Sequence, residues 1–360
     1  MALLKKDSIK KILVIKPSSL GDIFHCFPAV WLLHNALPEA DIDWFVRPEF
    51  NDALAYSPVK LNKIISFPRR ELGKLKSFLP ALKQTVKMLR AEKYDLVVDF
   101  QGLLRSAIFT SLARASLTAG FARPKENISR FSYKLKVKVG RDKVHAVDRN
   151  LALVEALTGE SLEGDMPDLP LVSCNSRGIT RLLAESSIGE SDKILGFVTG
   201  ARWESKCWKP EFFARIAKNF LEHQPNFKIL LIGSAADING AQKIAGLVNN
   251  PRLVSIAGKT SIGEMIEAIR RCDFIISNDS GPVHIAAALK KTVFGLFGPT
   301  SPEKTGPYGD FHHIFQRKLS CIKCLKRICP KETYECHNLN EQEILSQLLD
   351  FSEKGADNEK

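Results

Sequence analysis

The feature that most constrains this chain is an alternation of short apolar runs with longer amphipathic stretches, broken once and then resumed. Apolar runs of four to eight residues bounded by turn signals suit strands buried on both faces. Strands of that kind, separated by helices, build parallel sheets. Lys11–Lys16 (KILVIK), Asp41–Val46 and Asp95–Asp99 read as strands. Helices are expected over Leu20–Asn35, Glu71–Ala91, from Gly102 onward, and over Ala146–Thr158, where Gly159 stops the last. Residues 159–173 hold Gly164, Pro167 and Pro170 without periodicity and read as a linker. The rhythm then resumes. Strands are expected over Lys193–Val198, Lys228–Ile232, Asp273–Ser277 and Thr292–Phe297. Helices are expected over Pro210–His223, Asp237–Val248, Ser261–Arg270, Gly281–Leu289 and Asn340–Phe351. A chain of 360 residues is long enough for two domains of roughly 100–200 residues each. The expectation is an α/β protein with two Rossmann-like domains, 1–170 and 171–339. Residues 340–360 would form a helix packing back on the N-terminal domain, then a frayed polar tail. Ligands belong at the carboxyl ends of the strands.

Four strand-to-helix turns carry chemistry. Lys16-Pro17-Ser18-Ser19-Leu20-Gly21-Asp22 runs from a buried strand through a Ser/Gly turn into a helix. Its backbone N–H groups suit an anion or a sugar hydroxyl, and plain helix capping by Ser18, Ser19 or Asp22 explains it as well. With no Walker-A lysine and no GxGxxG, nucleotide binding is not indicated in this half. Ser277-Asn278-Asp279-Ser280-Gly281-Pro282-Val283-His284 repeats the arrangement in the second half. Here Ser280 and Gly281 let amides approach a phosphate, and the helix dipole favours negative charge. Thr199-Gly200-Ala201-Arg202, followed by Lys206 and Trp208, offers a hydroxyl and a cation to a diphosphate, or is simply a surface loop over a buried Trp208. Phe297-Gly298-Pro299-Thr300-Ser301-Pro302 is a rigid loop that shapes a pocket or connects elements.

Charge is unevenly placed. The chain carries a net +12, and Lys60–Lys143 alone holds twenty Lys/Arg against six Asp/Glu. A one-sided basic surface attracts phosphates, anionic headgroups or nucleic acid, although any single Lys there is most simply solvated. No stretch reaches the roughly 18 apolar residues of a membrane span. The short run Ile12–Ile15 lies between lysines with no cleavage pattern after it, so no secretory signal is expected. The expected location is the cytoplasm.

In this order and spacing the motifs resemble those of glycosyltransferase family 9, the ADP-heptose:lipopolysaccharide heptosyltransferases, from about Lys10 to about Leu349. KPSSLGDIFHCFPA resembles the family's N-terminal signature, and NDSGPVHIAAAL with GPTSPEKTGPYG its C-terminal one. DFQGLLRSA (Asp99–Ala107) and VHAVDRN (Val144–Asn150) look more like the type that adds the first heptose than the second. The resemblance implies a GT-B fold, two Rossmann-like domains facing each other across a cleft, and an inverting, metal-independent transfer. Asp22 matches the family's base. Thr199, Lys206, Asp279, Ser280, Gly281 and His284 match donor-binding positions, and Asp237 is placed to hold the adenosine ribose. Ser18, Ser19 and Gly21 are expected on the acceptor side. Arg69, Arg70, Lys74, Arg105, Arg123 and Lys125 are candidates there by charge and location. The implied partners are ADP-heptose, a Kdo-lipid A acceptor and the cytoplasmic face of the inner membrane, held peripherally by charge. No cofactor is implied. The alternatives are a second-heptose transferase, another sugar-nucleotide enzyme on this fold such as an epimerase, and a non-enzymatic nucleic-acid-binding protein. The last leaves both phosphate loops of the second half unexplained, and no nucleic-acid partner is expected.

Eight cysteines remain. Cys26, Cys174, Cys207 and Cys272 are scattered and read as reduced thiols. Cys321-x2-Cys324-x4-Cys329-x6-Cys336 is compact enough for a structural Zn²⁺ but lacks the spacing of a standard zinc ribbon, so reduced thiols are the preferred reading, ahead of zinc, and disulfides come last in a reducing compartment. No option gives the cluster a catalytic role.

Overall fold

A computed structural model of the chain describes residues 3–164 and 166–357. It divides into two compact units, Met1–Pro170 and Leu171–Lys360. Each is built on a six-stranded sheet. The first unit contributes β1 (Lys11–Ile15), β2 (Asp41–Val46), β3 (Lys63–Ser66), β4 (Leu96–Asp99), β5 (Leu117–Phe121) and β6 (Leu135–Val137). The second contributes β7 (Lys193–Val198), β8 (Phe227–Ile232), β9 (Leu253–Ser255), β10 (Phe274–Asn278), β11 (Thr292–Phe297) and β12 (His313–Gln316). Every pairing is parallel. The orders are β3-β2-β1-β4-β5-β6 and β12-β11-β10-β7-β8-β9, so the two sheets share one topology. In each, chain order reverses between the first and fourth strands, β1/β4 and β7/β10. That crevice is where doubly wound sheets bind ligands.

The central strands are apolar because both faces are covered. Leu13, Ile15, Phe45, Val97 and Phe109 form one core, and Phe197, Phe213, Phe220, Phe274 and Phe294 anchor the other. The strands that periodicity missed are β3, β5, β6, β9 and β12. They lie toward the sheet edges, where a three- to five-residue strand lacks the continuous apolar run of a central one. Ser173–Glu185 is a helix that the sequence left unassigned after the linker.

Three helices depart from expectation. Leu20–Asn35 is two helices, Leu20–Phe24 and Phe27–Ala36, because Pro28 cannot donate to the turn before it. The carbonyl of His25, freed at this break, accepts a hydrogen bond from Asn150 Nδ2 at 3.0 Å. The VHAVDRN motif is thereby tied to the N-terminal one. Glu71–Ala91 is a 3₁₀ turn, Glu71–Gly73, followed by the helix Leu75–Ala91. The last helix, Glu341–Asp357, packs on its own unit. Its Ile344 and Leu348 are fully buried in the second unit's core against the helix Pro210–His223. Of the expected frayed tail, residues 358–360 lie outside the described residues.

Truncating Leu348 should open a cavity in that core. Leu348→Ala is expected to cost roughly 2–5 kcal/mol of the second unit's stability. Scanning calorimetry would register this as earlier unfolding, and an unshifted transition would show that the helix does not hold the core together.

Candidate functional site

In the first unit, β1 delivers Lys16 to its carboxyl end. Lys16 is buried, and its ammonium donates to the Phe100 carbonyl at 3.2 Å, just past β4. One cation thus bridges the two strands of the switch point. Beyond it, Asp22 Oδ2 accepts from both the N–H and the hydroxyl of Ser19, each at 2.9 Å. This is the capping arrangement expected from the sequence, and it occupies only one carboxylate oxygen. Burial would raise the Asp22 pKa, but the charges of Lys16 and Lys125 and the Ser19 N–H outweigh it and hold the carboxyl well below the usual carboxylate range.

Asp99 at the end of β4 organises the neighbouring loops. Its Oδ1 accepts from the backbone N–H groups of Gln101 at 2.8 Å and Gly102 at 3.1 Å. Its Oδ2 accepts from Ser106 Oγ at 2.8 Å and Tyr133 Oη at 2.7 Å. Tyr133 reaches it because Gly120 leaves room: a Cβ there would stand 2.5 Å from the ring. Burial raises the Asp99 pKa, and these four donors oppose that rise. Gly102 has φ +65°, and a Cβ on it would come within 3.1 Å of Pro124. Its carbonyl takes the Glu126 N–H at 3.0 Å. Asp99 therefore seats the segment that carries Lys125.

The other acceptor-side candidates are spread along the same sheet edge. Arg69, Arg70 and Lys74 are exposed and follow β3, Arg123 follows β5, and Arg105 lies on the helix Leu104–Leu112 after β4. Of the six candidate cations, Lys125 bears most strongly on Asp22. Ser18 and Gly21 complete the turn around it. Sequence reasoning named neither Lys16 nor Asp99 as a site residue. A charged residue closing an otherwise apolar strand was the available signal for both.

In the second unit, the loops after β7, β10 and β11 meet, because these strands are neighbours. Lys206 forms an ion pair with Asp279 Oδ2 at 2.7 Å, and Thr300 donates its hydroxyl to the same oxygen at 2.5 Å. Asn278 Nδ2 donates to the Thr199 carbonyl at 2.5 Å. Lys206 also lies over the Trp203 ring, 4.8 Å from its centroid. Asp279 directly precedes Ser280, the N-cap of the helix Gly281–Ala288. The Lys206 ammonium and the positive end of a helix therefore come together. Ser280 Oγ is buried without a hydrogen-bond partner, and His284 lies partly exposed in the first turns of this helix. An orphaned buried hydroxyl at a helix N-terminus beside a lysine suits an anionic ligand. Asp237 follows β8. Its Oδ2 caps Ser234 through both the N–H and the hydroxyl at 2.7 Å, and its carboxylate fills the space where Gly200 lacks a side chain. Thr300 was the residue missed here, hidden in a loop that the sequence could not assign.

Cys321, Cys324, Cys329 and Cys336 are free and line one small cavity together with Ser205 and Gly298. Among the described residues no group of three or more His, Cys, Asp or Glu is arranged to hold a metal ion. Cys329 is turned to backbone amides: the N–H groups of Tyr334, Lys331, Glu332 and Thr333 hold its thiol below the usual pKa. The segment acts as a clamp. Arg327 and Lys326 carbonyls accept from the Ser205 N–H and hydroxyl at 3.1 and 2.6 Å. Leu325 N–H donates to the Pro299 carbonyl at 2.8 Å. The loops bearing Lys206 and Thr300 are both held by it.

The family model for glycosyltransferase family 9 (heptosyltransferase) matches residues 82–335. Lipopolysaccharide heptosyltransferase 1 of Pseudomonas aeruginosa is 29% identical over 330 residues, 90% of this chain and 89% of that one. A family 9 glycosyl transferase structure from Veillonella parvula superposes with a TM-score of 0.82 at 20% identity, covering 94% of this chain and 97% of that one. The structure of ADP-heptose LPS heptosyltransferase II from E. coli gives 0.72 at 24% identity, covering 94% and 99%. The fold is GT-B. With two parallel Rossmann-like units, loops gathered at both switch points and a family match over most of its length, the chain belongs to glycosyltransferase family 9, the heptosyltransferases.

Proposed function

We propose that this glycosyltransferase moves L-glycero-D-manno-heptose from ADP-heptose to the Kdo-lipid A inner core, adding the first heptose with inversion. The observation that carries the donor half is the Lys206–Asp279–Ser280 arrangement: a held ammonium, a helix N-terminus and an unsatisfied buried hydroxyl at one point. Thr199 and Gly281 supply further groups to the diphosphate, His284 stands on the same helix, and Asp237 faces the nucleoside. The acceptor half rests on Asp22. The acceptor hydroxyl oxygen attacks the anomeric carbon, the bond from that carbon to the β-phosphate oxygen breaks, and the hydroxyl proton passes to Asp22. ADP leaves with its new charge met by Lys206 and the helix amides. These protein groups meet the leaving charge themselves, and no step is assigned to a metal.

Asp22 is ionised before substrate arrives, so it is a weak base toward a resting alcohol. Its role is carried by the transition state. The hydroxyl grows acidic as its bond to the anomeric carbon forms, and proton transfer then comes late. The nearby cations keep Asp22 ready and position it more than they strengthen it.

We propose a peripheral location on the cytoplasmic face of the inner membrane. No helix among the described residues is long and apolar enough to cross a membrane. The basic segment also exposes Leu75, Phe78, Leu79, Leu104, Ile108, Ile128 and Phe131. Cations mixed with exposed apolar side chains suit an anionic lipid surface, and a nucleic-acid backbone has no use for the latter. The chain's similarity to a heptosyltransferase 1 over nine-tenths of its length supports the first-heptose reading.

The direct test is transfer from ADP-heptose to Kdo₂-lipid A, read by mass spectrometry with and without EDTA. One added heptose is expected in both. Product only on an acceptor that already bears a heptose would move the chain to the second addition, and loss of product in EDTA would overturn the metal-free route.

Asp22→Asn should leave folding and ADP binding intact and remove most of the turnover. Near-wild-type kcat in that variant would sink the base assignment. A depressed pKa also fixes the sign of the pH response. The stability that ionised Asp22 contributes is present above its unfolded value of about 3.9 and is lost as pH falls toward the folded one. Between pH 5 and 7, kcat/KM should therefore show no acid limb from this residue. A wild-type limb near pH 6 that vanishes in Asp22→Asn would contradict the electrostatics described above.

Lys206→Gln should weaken ADP binding by about tenfold or more in titration calorimetry, as expected when a charge-assisted contact to phosphate is lost. Unchanged affinity would remove Lys206 from the donor site.

A further inference from the structure

The cation already described at the donor loops is partly spent: Asp279 Oδ2 holds the Lys206 ammonium at 2.7 Å. We propose that Arg327, from the cysteine-rich segment, is the second cation of the donor site and meets the diphosphate beside Lys206. The inference rests on the reading of the second unit as the ADP-sugar site.

The backbone of the segment places Arg327 there. The Arg327 carbonyl accepts from the Ser205 N–H at 3.1 Å, and the Lys326 carbonyl accepts from the Ser205 hydroxyl at 2.6 Å. Two residues earlier, the Leu325 N–H donates to the Pro299 carbonyl at 2.8 Å. Arg327 is thus rooted between the loop after β7, which bears Lys206, and the loop after β11, which bears Thr300. From that root its guanidinium lies 5.9 Å from the centroid of the Trp203 ring. The Lys206 ammonium lies 4.8 Å from the same centroid. Two cations far apart in sequence therefore share one indole, and the first of them reaches the residue just before the N-cap of the helix Gly281–Ala288.

The charge of Arg327 is free for a ligand. It forms no ion pair with a carboxylate among the described residues. Its neighbour Lys323 is taken by Glu303, and Glu204, on the Lys206 loop, hydrogen-bonds with Tyr334. An aromatic face orients a cation and leaves its charge available, which a carboxylate would not. A guanidinium also stays protonated and presents a planar fork that fits two phosphate oxygens. Lys206 and Asp279 together carry no net charge, so Arg327 adds the surplus positive charge that the pair lacks. Like charges drawn to one ring repel, and an anion held between them relieves that repulsion. The diphosphate gains charge as its bond to the anomeric carbon breaks. A cation on it therefore contributes more in the transition state than in the ground state.

The test is titration calorimetry with ADP and with AMP. Wild type is compared with Arg327→Gln, Arg327→Lys, Lys206→Gln and the Lys206→Gln/Arg327→Gln double variant. Arg327 is exposed and grips Ser205 through its carbonyl, which these substitutions keep. Arg327→Gln should bind ADP at least about tenfold more weakly than wild type, with a smaller loss for AMP, and Arg327→Lys should recover part of it. The loss should persist in the Lys206→Gln background, because both cations act on the ligand. Turnover at saturating ADP-heptose should fall as well. Unchanged ADP affinity in Arg327→Gln would overturn the inference. So would an equal loss for AMP and ADP, which would mark a disturbed nucleoside pocket. A loss that disappears once Lys206 is gone would also overturn it, reducing Arg327 to a support for Lys206. In all three cases wild type still binds ADP and the donor site stands. If wild type binds no ADP, the donor reading itself falls and takes this inference with it.

Discussion

Everything functional in this chain depends on parallel pairing. A parallel sheet brings every strand's carboxyl end to one edge, so residues far apart in sequence meet there without any contact designed for the purpose. In the first unit that edge collects Asp22 from the short helix after β1, Asp99 from the end of β4 and Lys125 from the loop after β5. In the second it collects Lys206, Asp279 and Thr300 from the loops after β7, β10 and β11. The same order of strands in both units puts the two gatherings at equivalent switch points. One topology, used twice, gives a protein two loop clusters of different character, and the loops alone make the difference.

The two sites handle buried charge differently. In the first, a carboxylate sits among cations: Lys16 and Lys125 on Asp22, with Asp99 satisfied by four neutral donors. Removing a cation would weaken the hold on Asp22, while removing Asp99 would leave its four donors without their acceptor and release the segment bearing Lys125. Asp99 thus acts through the loops it seats. In the second, a lysine is held by a carboxylate at a helix N-terminus. Asp279 orients the ammonium but also spends part of its charge. Under the proposed donor role, a diphosphate would share Lys206 with Asp279, and the helix amides and the Ser280 hydroxyl would carry the remaining attraction.

Reading the sequence recovered the two-unit α/β architecture, because central parallel strands such as Lys193–Val198 and Thr292–Phe297 are continuous apolar runs with sharp ends. It missed the edge strands, where pairing with a neighbour, not composition, makes the strand. It joined the helices at Leu20–Asn35, although Pro28 stood in plain view, because the apolar pattern continued across the break. The turns bearing Asp22 and Asp279 were readable as strand–turn–helix junctions. What local pattern could not give was partnership. Lys206 with Asp279, Tyr133 with Asp99 and Asn150 with the His25 carbonyl are separated by 73, 34 and 125 residues, and only the closed sheets bring them together.

The cysteine-rich segment shows how such long-range placement is made rigid. Loops at a sheet edge are free to move, and fixing one on ligand binding costs conformational entropy. Here the cost is met in folding. The segment grips Ser205 through both its N–H and its hydroxyl, His337 Nε2 approaches the Ser205 carbonyl at 2.8 Å, and His337 stacks on Trp208. Tyr334 hydrogen-bonds to Glu204, one residue earlier. Lys206 is therefore enclosed by anchored neighbours on both sides in the chain, while Asp279 fixes its tip. The four thiols need no chemistry of their own to matter: the compact turns they occupy, with Lys323, Leu325, Glu332 and Tyr334 in left-handed conformation, are what bring the gripping carbonyls and rings into reach. Disturbing those turns would loosen Lys206 from a distance.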